Sequence, residues 1–299
     1  MDVKQIPTLL SMSDFPIGLG GCRSDGTHFQ CCEYNITVLD EKSGESIHRI
    51  ENDFVKIHHY SLIDASSSTL HQLQNLTIIH DDQWKLRMLL SKIKEKKEQI
   101  ATSHARSCLV DAGILANKAR DSLKVNDPFA GAWIKCASYS LADAIFCLNL
   151  RRPSPTHMLE VIRNMKKDKV NQRFSIIHQI LGIERSSTSL LSRMVKSTVG
   201  FSNMVENNGN SEIITKKYEY LVDNSLLSDC YFYLGYVNRH NLLKVKNQIH
   251  RNPEFIHVLK VGLDMEHDPM VIDNQATTLI QSTNEMLGDL KDQPWTGNP

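Results

Sequence analysis

The residues of this chain best placed to do chemistry are Gly20-Gly21-Cys22-Arg23-Ser24-Asp25-Gly26 and, shortly after, Glu33-Tyr34-Asn35-Ile36-Thr37-Val38. A glycine-rich turn exposes backbone N–H groups that can hold a phosphate. Successive side chains on a strand point to opposite faces, so Glu33 and Asn35 share one face and Tyr34, Ile36 and Val38 the other. Two oxygen donors spaced in this way can share a metal ion. Glycine pairs also mark ordinary loops through conformational freedom alone, so the turn has a purely structural reading as well.

This layout resembles the DNA polymerase β-like nucleotidyltransferase superfamily, whose pattern is Gly-Ser, about ten residues, then Asp-x-Asp at the start of a strand. Here Gly21-Cys22 stands for Gly-Ser, the ten residues Arg23 to Cys32 follow, and Glu33-Tyr34-Asn35 stands for Asp-x-Asp. Arg23 and Gly26 fall where many members carry Arg and Gly. The resemblance implies that Gly20, Gly21, Cys22, Arg23 and Gly26 bind a nucleoside triphosphate. It also implies that Glu33 and Asn35 act as catalytic residues and ligands of Mg²⁺, with an acceptor hydroxyl attacking the α-phosphate and pyrophosphate leaving. All three chemical positions are altered: Ser to Cys, Asp to Glu, Asp to Asn. Mg²⁺ prefers an oxygen shell with one or two carboxylates plus phosphate oxygens, and Asn35 removes one full charge from that shell. The expected third carboxylate is missing from the middle of the strand Phe54–Ile63, which holds Lys56, His58, His59 and Tyr60; Asp40 and Asp64 lie at strand ends. The function so implied is triphosphate and Mg²⁺ binding with weak or lost transfer. The alternative is a catalytically inactive regulatory or scaffold protein.

Other reactive groups give weaker signals. Cys22, His28, Cys31 and Cys32 could gather at zinc, but adjacent cysteines do not easily face one ion and no second ligand pair follows, which favours free thiols in a loop. Helical RNase modules use Arg, four to six residues, then His. The pairs Arg152/His157, Arg173/His178 and Arg251/His257 fit that spacing, at a frequency that chance supplies. Of His58 and His59, one is expected at the surface and one hydrogen-bonded in the core. Tyr218, Tyr220, Tyr231, Phe232, Tyr233 and Tyr236 could stack bases, but in helices this apolar they read as packing.

The elements that must position these groups change character near residue 81. Strands are expected over 15–19, 34–39, 47–63 with a break near Glu51-Asn52-Asp53, and 76–80, with Asp40–Gly44 as a hairpin turn. Ser66-Ser67-Ser68 followed by Thr69 to Leu73 reads as a short capped helix between strands. Beyond Asp81 the apolar spacing is helical: Trp84, Met88, Leu89 and Ile93 mark one face, and Cys108 to Ala119 continue a stripe. Asp127-Pro128 opens a helix to about Leu150, which Arg152-Pro153-Ser154-Pro155 stops. Further helices are expected at 156–166, 171–182, 187–205, 212–250 with a break, 254–264 and 270–290. The fold class is therefore α+β: a small mixed sheet of nucleotidyltransferase type over 1–81, an all-α domain over 82–292, and a frayed tail over 293–299. The helical part resembles the HEPN-like or substrate-binding modules that accompany such sheets. We expect the helix bearing Trp84, and the later helix bearing Trp133, Tyr139 and Asp143, to line a cleft beside the sheet.

Composition bounds the partners. Lys plus Arg equals Asp plus Glu at 34 each, so no global field favours nucleic acid or an anionic membrane. No run of eighteen apolar residues occurs, and no charged-then-apolar leader opens the chain. Seven scattered cysteines are not a disulfide framework and suit a reducing, cytoplasmic setting. The acceptor is not specified, and a homo-oligomer is compatible with the composition.

Overall fold

The computed structural model describes residues 2–61, 66–206 and 208–291. Five strands form one mixed sheet: β1 (Ile17–Gly20), β2 (Tyr34–Leu39), β3 (Gly44–Ile50), β4 (Asp53–Tyr60) and β5 (Thr77–His80), in the order β3-β4-β2-β1-β5. β2 lies antiparallel to β1 and parallel to β4, with Asn35 opposite Lys56 and Thr37 opposite His58. The α+β class read from the sequence is the class found.

The hairpin falls elsewhere than expected. β2 and β3 are not neighbours, so 40–44 is a connection across β4, and the true hairpin joins β3 to β4 with Ile50 paired to Asp53. A two-residue turn there needs a backbone of positive φ, and Glu51 supplies it at +55°. Asp40–Gly44 carries stronger turn residues, but composition alone does not say which strands a turn joins.

The helices are α1 (Ile6–Leu9), α2 (Gly21–Ser24), α3 (Ser67–Leu73), α4 (Lys85–Glu95), α5 (Lys97–Lys124), α6 (Ala130–Leu148), α7 (Met158–Arg163), α8 (Lys169–Gln172), α9 (Phe174–Leu181), α10 (Thr188–Val205), α11 (Asn210–Asp223), α12 (Leu227–Val245), α13 (Phe255–Gly262) and α14 (Pro269–Lys291). Ser66 caps α3 by accepting from the Thr69 N–H, as its residue type predicts. α4 turns a different face inward: Leu86 and Ile93 are buried, whereas Trp84 and Met88 are more than half exposed. Trp84 sits in the left-handed region at φ +59°, outside the helix, where helical spacing no longer governs its direction.

One face of the sheet is apolar. Ile17, Leu19, Tyr34, Ile36, Val38, Val55 and Ile57 pack there with Ile6 of α1. A second, much larger core occupies the helices, centred on α6, where Trp133, Ile134, Tyr139, Leu141 and Ile145 are almost fully buried. The opposite face of the sheet is polar, and it carries Glu33, Asn35, Lys56 and His58.

Candidate functional site

The turn before α2 is built on glycine for two reasons. Gly20 is its extended N-cap, and Gly21 adopts φ +69°, a region that L side chains avoid. A Cβ on Gly21 would also stand 3.0 Å from the Asn35 side-chain nitrogen, so the turn rests directly on β2. Gly26, at φ +72°, is exposed with open space around it. Ser24 Oγ ties the turn to β5, 2.9 Å from the Asn75 carbonyl and 2.7 Å from Thr77 Oγ1.

Arg23 is committed to the protein. Its guanidinium donates twice to the Cys32 carbonyl, at 2.9 and 2.6 Å, and lies 3.8 Å above the Tyr34 ring. Cys22 points inward, into a cluster with Cys31 and Cys32 covered by Phe29 and Tyr220. His28, the fourth member expected from the sequence, is exposed. His157, from the turn before α7, takes that place with Nε2 3.6 Å from Cys32 Sγ. Hydrogen bonds from the Cys22 and Cys31 thiols hold the Cys32 thiol well below its ordinary range.

Glu33 and Asn35 share a face as expected, with Asn35 Nδ2 3.4 Å from Glu33 Oε1. The partner of Glu33 comes from the helices. Lys217 of α11 places Nζ 2.7 Å from Glu33 Oε2, and the two side chains are 4% and 11% exposed. Burial opposes ionisation of Glu33, but the Lys217 ammonium outweighs it and holds the carboxyl below its ordinary range. The same balance, with burial disfavouring the charge and Glu33 favouring it, raises Lys217. Lys217 Nζ also lies 5.2 Å from the Tyr233 ring of α12. On the other side, His58 Nε2 is 3.4 Å from Asn35 Oδ1 and its Nδ1 is 3.0 Å from Glu45, which Lys56 approaches at 2.7 Å. Lys217, Glu33, Asn35, His58, Glu45 and Lys56 thus form one continuous polar chain across the sheet face.

Glu33 and Asn35 do not fit a Mg²⁺ shell of the family type: they offer one carboxylate, already paired with the Lys217 ammonium, and one neutral amide, and the Glu45 carboxylate beyond them is held by Lys56 and His58. The β4 position beside Asn35 is Lys56, a cation where the pattern asks for an acid. Asp40 lies at the far end of β2, roughly 20 Å of strand from Glu33, where it pairs with His59 at 2.8 Å. Asp64 lies outside the described residues.

The wall facing Glu33 differs from the expected one. It is made by α11 and α12. Trp133 and Tyr139 are buried core residues of the bundle, and Trp84 faces solvent. Tyr231, Phe232 and Tyr233 are likewise packing residues. Two of the Arg/His pairs have separate partners: Arg173 bonds Ser282 and Glu285 whereas His178 lies 3.8 Å from Glu184, and Arg152 donates to the Gln72 carbonyl whereas His157 faces Cys32. Lys217 carries a local signal in the sequence, because it shares with Ile214 and Leu221 the inward stripe of α11, where a lysine needs a buried partner.

A second group of metal-ligating side chains is His104, Cys108 and Cys147, whose ligand atoms lie within 4.8 Å of one another, with His71 Nε2 3.5 Å from Cys147 Sγ. All seven cysteines are free and buried.

No family model matches the chain, and no curated protein matches it. Among solved structures it is similar to a nucleotidyltransferase-like protein from Exiguobacterium sibiricum 255-15, at 12% identity and a TM-score of 0.29, over 86% of this chain and 89% of that one. Among the described residues, no helix is long and apolar enough to cross a membrane.

Proposed function

We propose that this chain is a nucleotidyltransferase-like protein whose site is closed by an internal ion pair, and that it serves as a regulatory or scaffold protein through contacts with other proteins. The observation that carries this reading is the buried contact of Lys217 with Glu33. A divalent ion on Glu33 would stand roughly 4 Å from the ammonium. At an effective dielectric constant of about 20, that repulsion is on the order of 8 kcal/mol. One or two carboxylate bonds to Mg²⁺ do not offset it while Lys217 stays in place. Lys217 therefore supplies the positive charge that a metal supplies in an active relative, but it offers no vacant coordination position to a triphosphate.

The test is incubation with labelled ATP, GTP, CTP and UTP in Mg²⁺ or Mn²⁺. The expected result is no transfer above the protein-free control. Transfer that Glu33→Ala abolishes would refute the proposal.

A second reading keeps triphosphate and Mg²⁺ binding with weak or lost transfer. It is favoured by one feature, the Gly20-Gly21 turn, which lies between β1 and β2 where the resemblance implies a phosphate-holding turn. It predicts stabilisation by nucleotide, about 2.7 kcal/mol at a hundred times the dissociation constant. Under the first reading, nucleotide with Mg²⁺ leaves the unfolding temperature unchanged.

A further inference from the structure

The cluster beneath the glycine turn has the composition and geometry of a metal centre. The Cys22 and Cys32 sulfurs and a His157 ring nitrogen all lie within 4.8 Å of one another, on three buried residues. Cys31 belongs to the same buried thiol cluster and is 3% exposed. Tetrahedral zinc with Zn–S near 2.3 Å and Zn–N near 2.05 Å sets its sulfur and nitrogen ligands about 3.6 Å apart. The Cys32 Sγ to His157 Nε2 distance is 3.6 Å.

The surroundings agree. A histidine that binds zinc through one nitrogen ordinarily donates its other N–H to a carboxylate or carbonyl, which fixes the tautomer and the ring direction. His157 Nδ1 lies 3.3 Å from Glu160 Oε2, and with the N–H on that nitrogen the Nε2 lone pair is aimed at Cys32. Phe29 covers the ring at 4.2 Å and stacks on Tyr220 at 5.2 Å, so the group is shielded from water. Soft thiolates with imidazole in a tetrahedral arrangement select zinc over oxygen-seeking ions such as Mg²⁺.

We infer that Cys22, Cys32 and His157 are three ligands of a structural zinc ion, and that Cys31, in the same buried thiol cluster, turns its sulfur inward as the fourth when the ion binds. Its ligands come from α2, from the loop entering β2 and from the turn entering α7. The ion therefore joins the sheet to the helical bundle one residue from Gly21 and one residue from Glu33. Binding releases the thiol protons to solvent and involves no redox change. Adjacent cysteines made zinc an unattractive reading of the sequence because the missing ligand, His157, lies 125 residues further along the chain.

The test uses the full chain, prepared under reducing conditions, stripped with a chelator and reconstituted with zinc. Metal content is compared for the parent, Cys32→Ser and Cys230→Ser, since Cys230 belongs to neither thiol group. The parent and Cys230→Ser should hold one zinc ion more per chain than Cys32→Ser. Cobalt in place of zinc should give intense visible bands of a tetrahedral site and a thiolate charge-transfer band. If Cys32→Ser does not fold, the parent alone decides by peptide-resolved alkylation. Zinc should slow modification of Cys22, Cys31 and Cys32 at least tenfold and leave Cys230 unchanged, and resolution by peptide separates this site from the His104, Cys108 and Cys147 group. Equal metal content in the parent and Cys32→Ser, or alkylation at the three thiols indifferent to zinc, would overturn the inference.

Discussion

Replacing Lys217 by Met keeps much of the side-chain volume and removes the ammonium, leaving Glu33 charged in a site that is 11% exposed. Breaking a buried pair by removing one partner costs about 3–5 kcal/mol, because the remaining charge loses its compensation. We expect a loss of that size at neutral pH, read from urea unfolding of the parent and the variant. Glu33→Gln combined with Lys217→Met removes both charges and should recover most of it. The pH dependence carries a definite sign. In the parent, Glu33 titrates below its unfolded value, so its contribution is present above about pH 4.3 and is lost as pH falls through the folded value. In Lys217→Met, burial without the ammonium raises Glu33 above its unfolded value. The penalty then applies above that raised value and fades as pH falls through it. Both effects narrow the gap between parent and variant on acidification. A loss below about 1 kcal/mol, as for an exposed pair, or a double variant no more stable than Lys217→Met, would refute the reasoning.

Gly21→Ala forces a left-handed backbone on a residue with a Cβ and crowds Asn35; thermal unfolding should show a loss of about 1–2 kcal/mol or more. Gly235→Ala would place a Cβ 2.0 Å from the Tyr139 hydroxyl in the bundle core, and overpacking of this kind costs about 1–3 kcal/mol, readable in the same assay. Lys135 is buried, donates to the Leu181 carbonyl at 2.8 Å, and is pushed down to about 8 by burial. A lysine whose folded value is depressed costs stability below that value and recovers it as pH rises toward its unfolded value of about 10.4. Parent stability relative to Lys135→Met should therefore rise between pH 8 and 10, measured by urea unfolding. Asn35→Asp restores the second acidic position; with Lys217 in place, calorimetry should detect no gain in Mg²⁺ affinity.

Local physics made much of this fold legible. β2 was readable because apolar alternation from Tyr34 to Leu39 has a period of two, and α3 because Ser66 supplies a cap. The order of the long helices followed from apolar spacing and from proline and glycine stops. The hairpin is not legible because Asp40–Gly44 and Glu51–Asn52 are both competent turns, and only strand pairing decides between them. At the site, residue spacing brought Glu33, Asn35 and the glycine turn together. It did not reveal that Lys217 would approach Glu33, or that His157 would join the thiols, since both partners arrive through tertiary packing of distant helices. Each nevertheless left a trace, as a polar residue buried by its own apolar neighbours. Lys217 lies on the inward stripe of α11, and His157 immediately precedes Met158 and Leu159.

Binding of Mn²⁺, followed by the loss of the free-ion paramagnetic resonance signal, addresses the central claim most directly, with Glu33→Gln as the control. If Lys217 supplies the positive charge at Glu33, the parent and Glu33→Gln should take up the same amount of Mn²⁺, with or without triphosphate. Stoichiometric Mn²⁺ binding by the parent that Glu33→Gln abolishes would contradict the account.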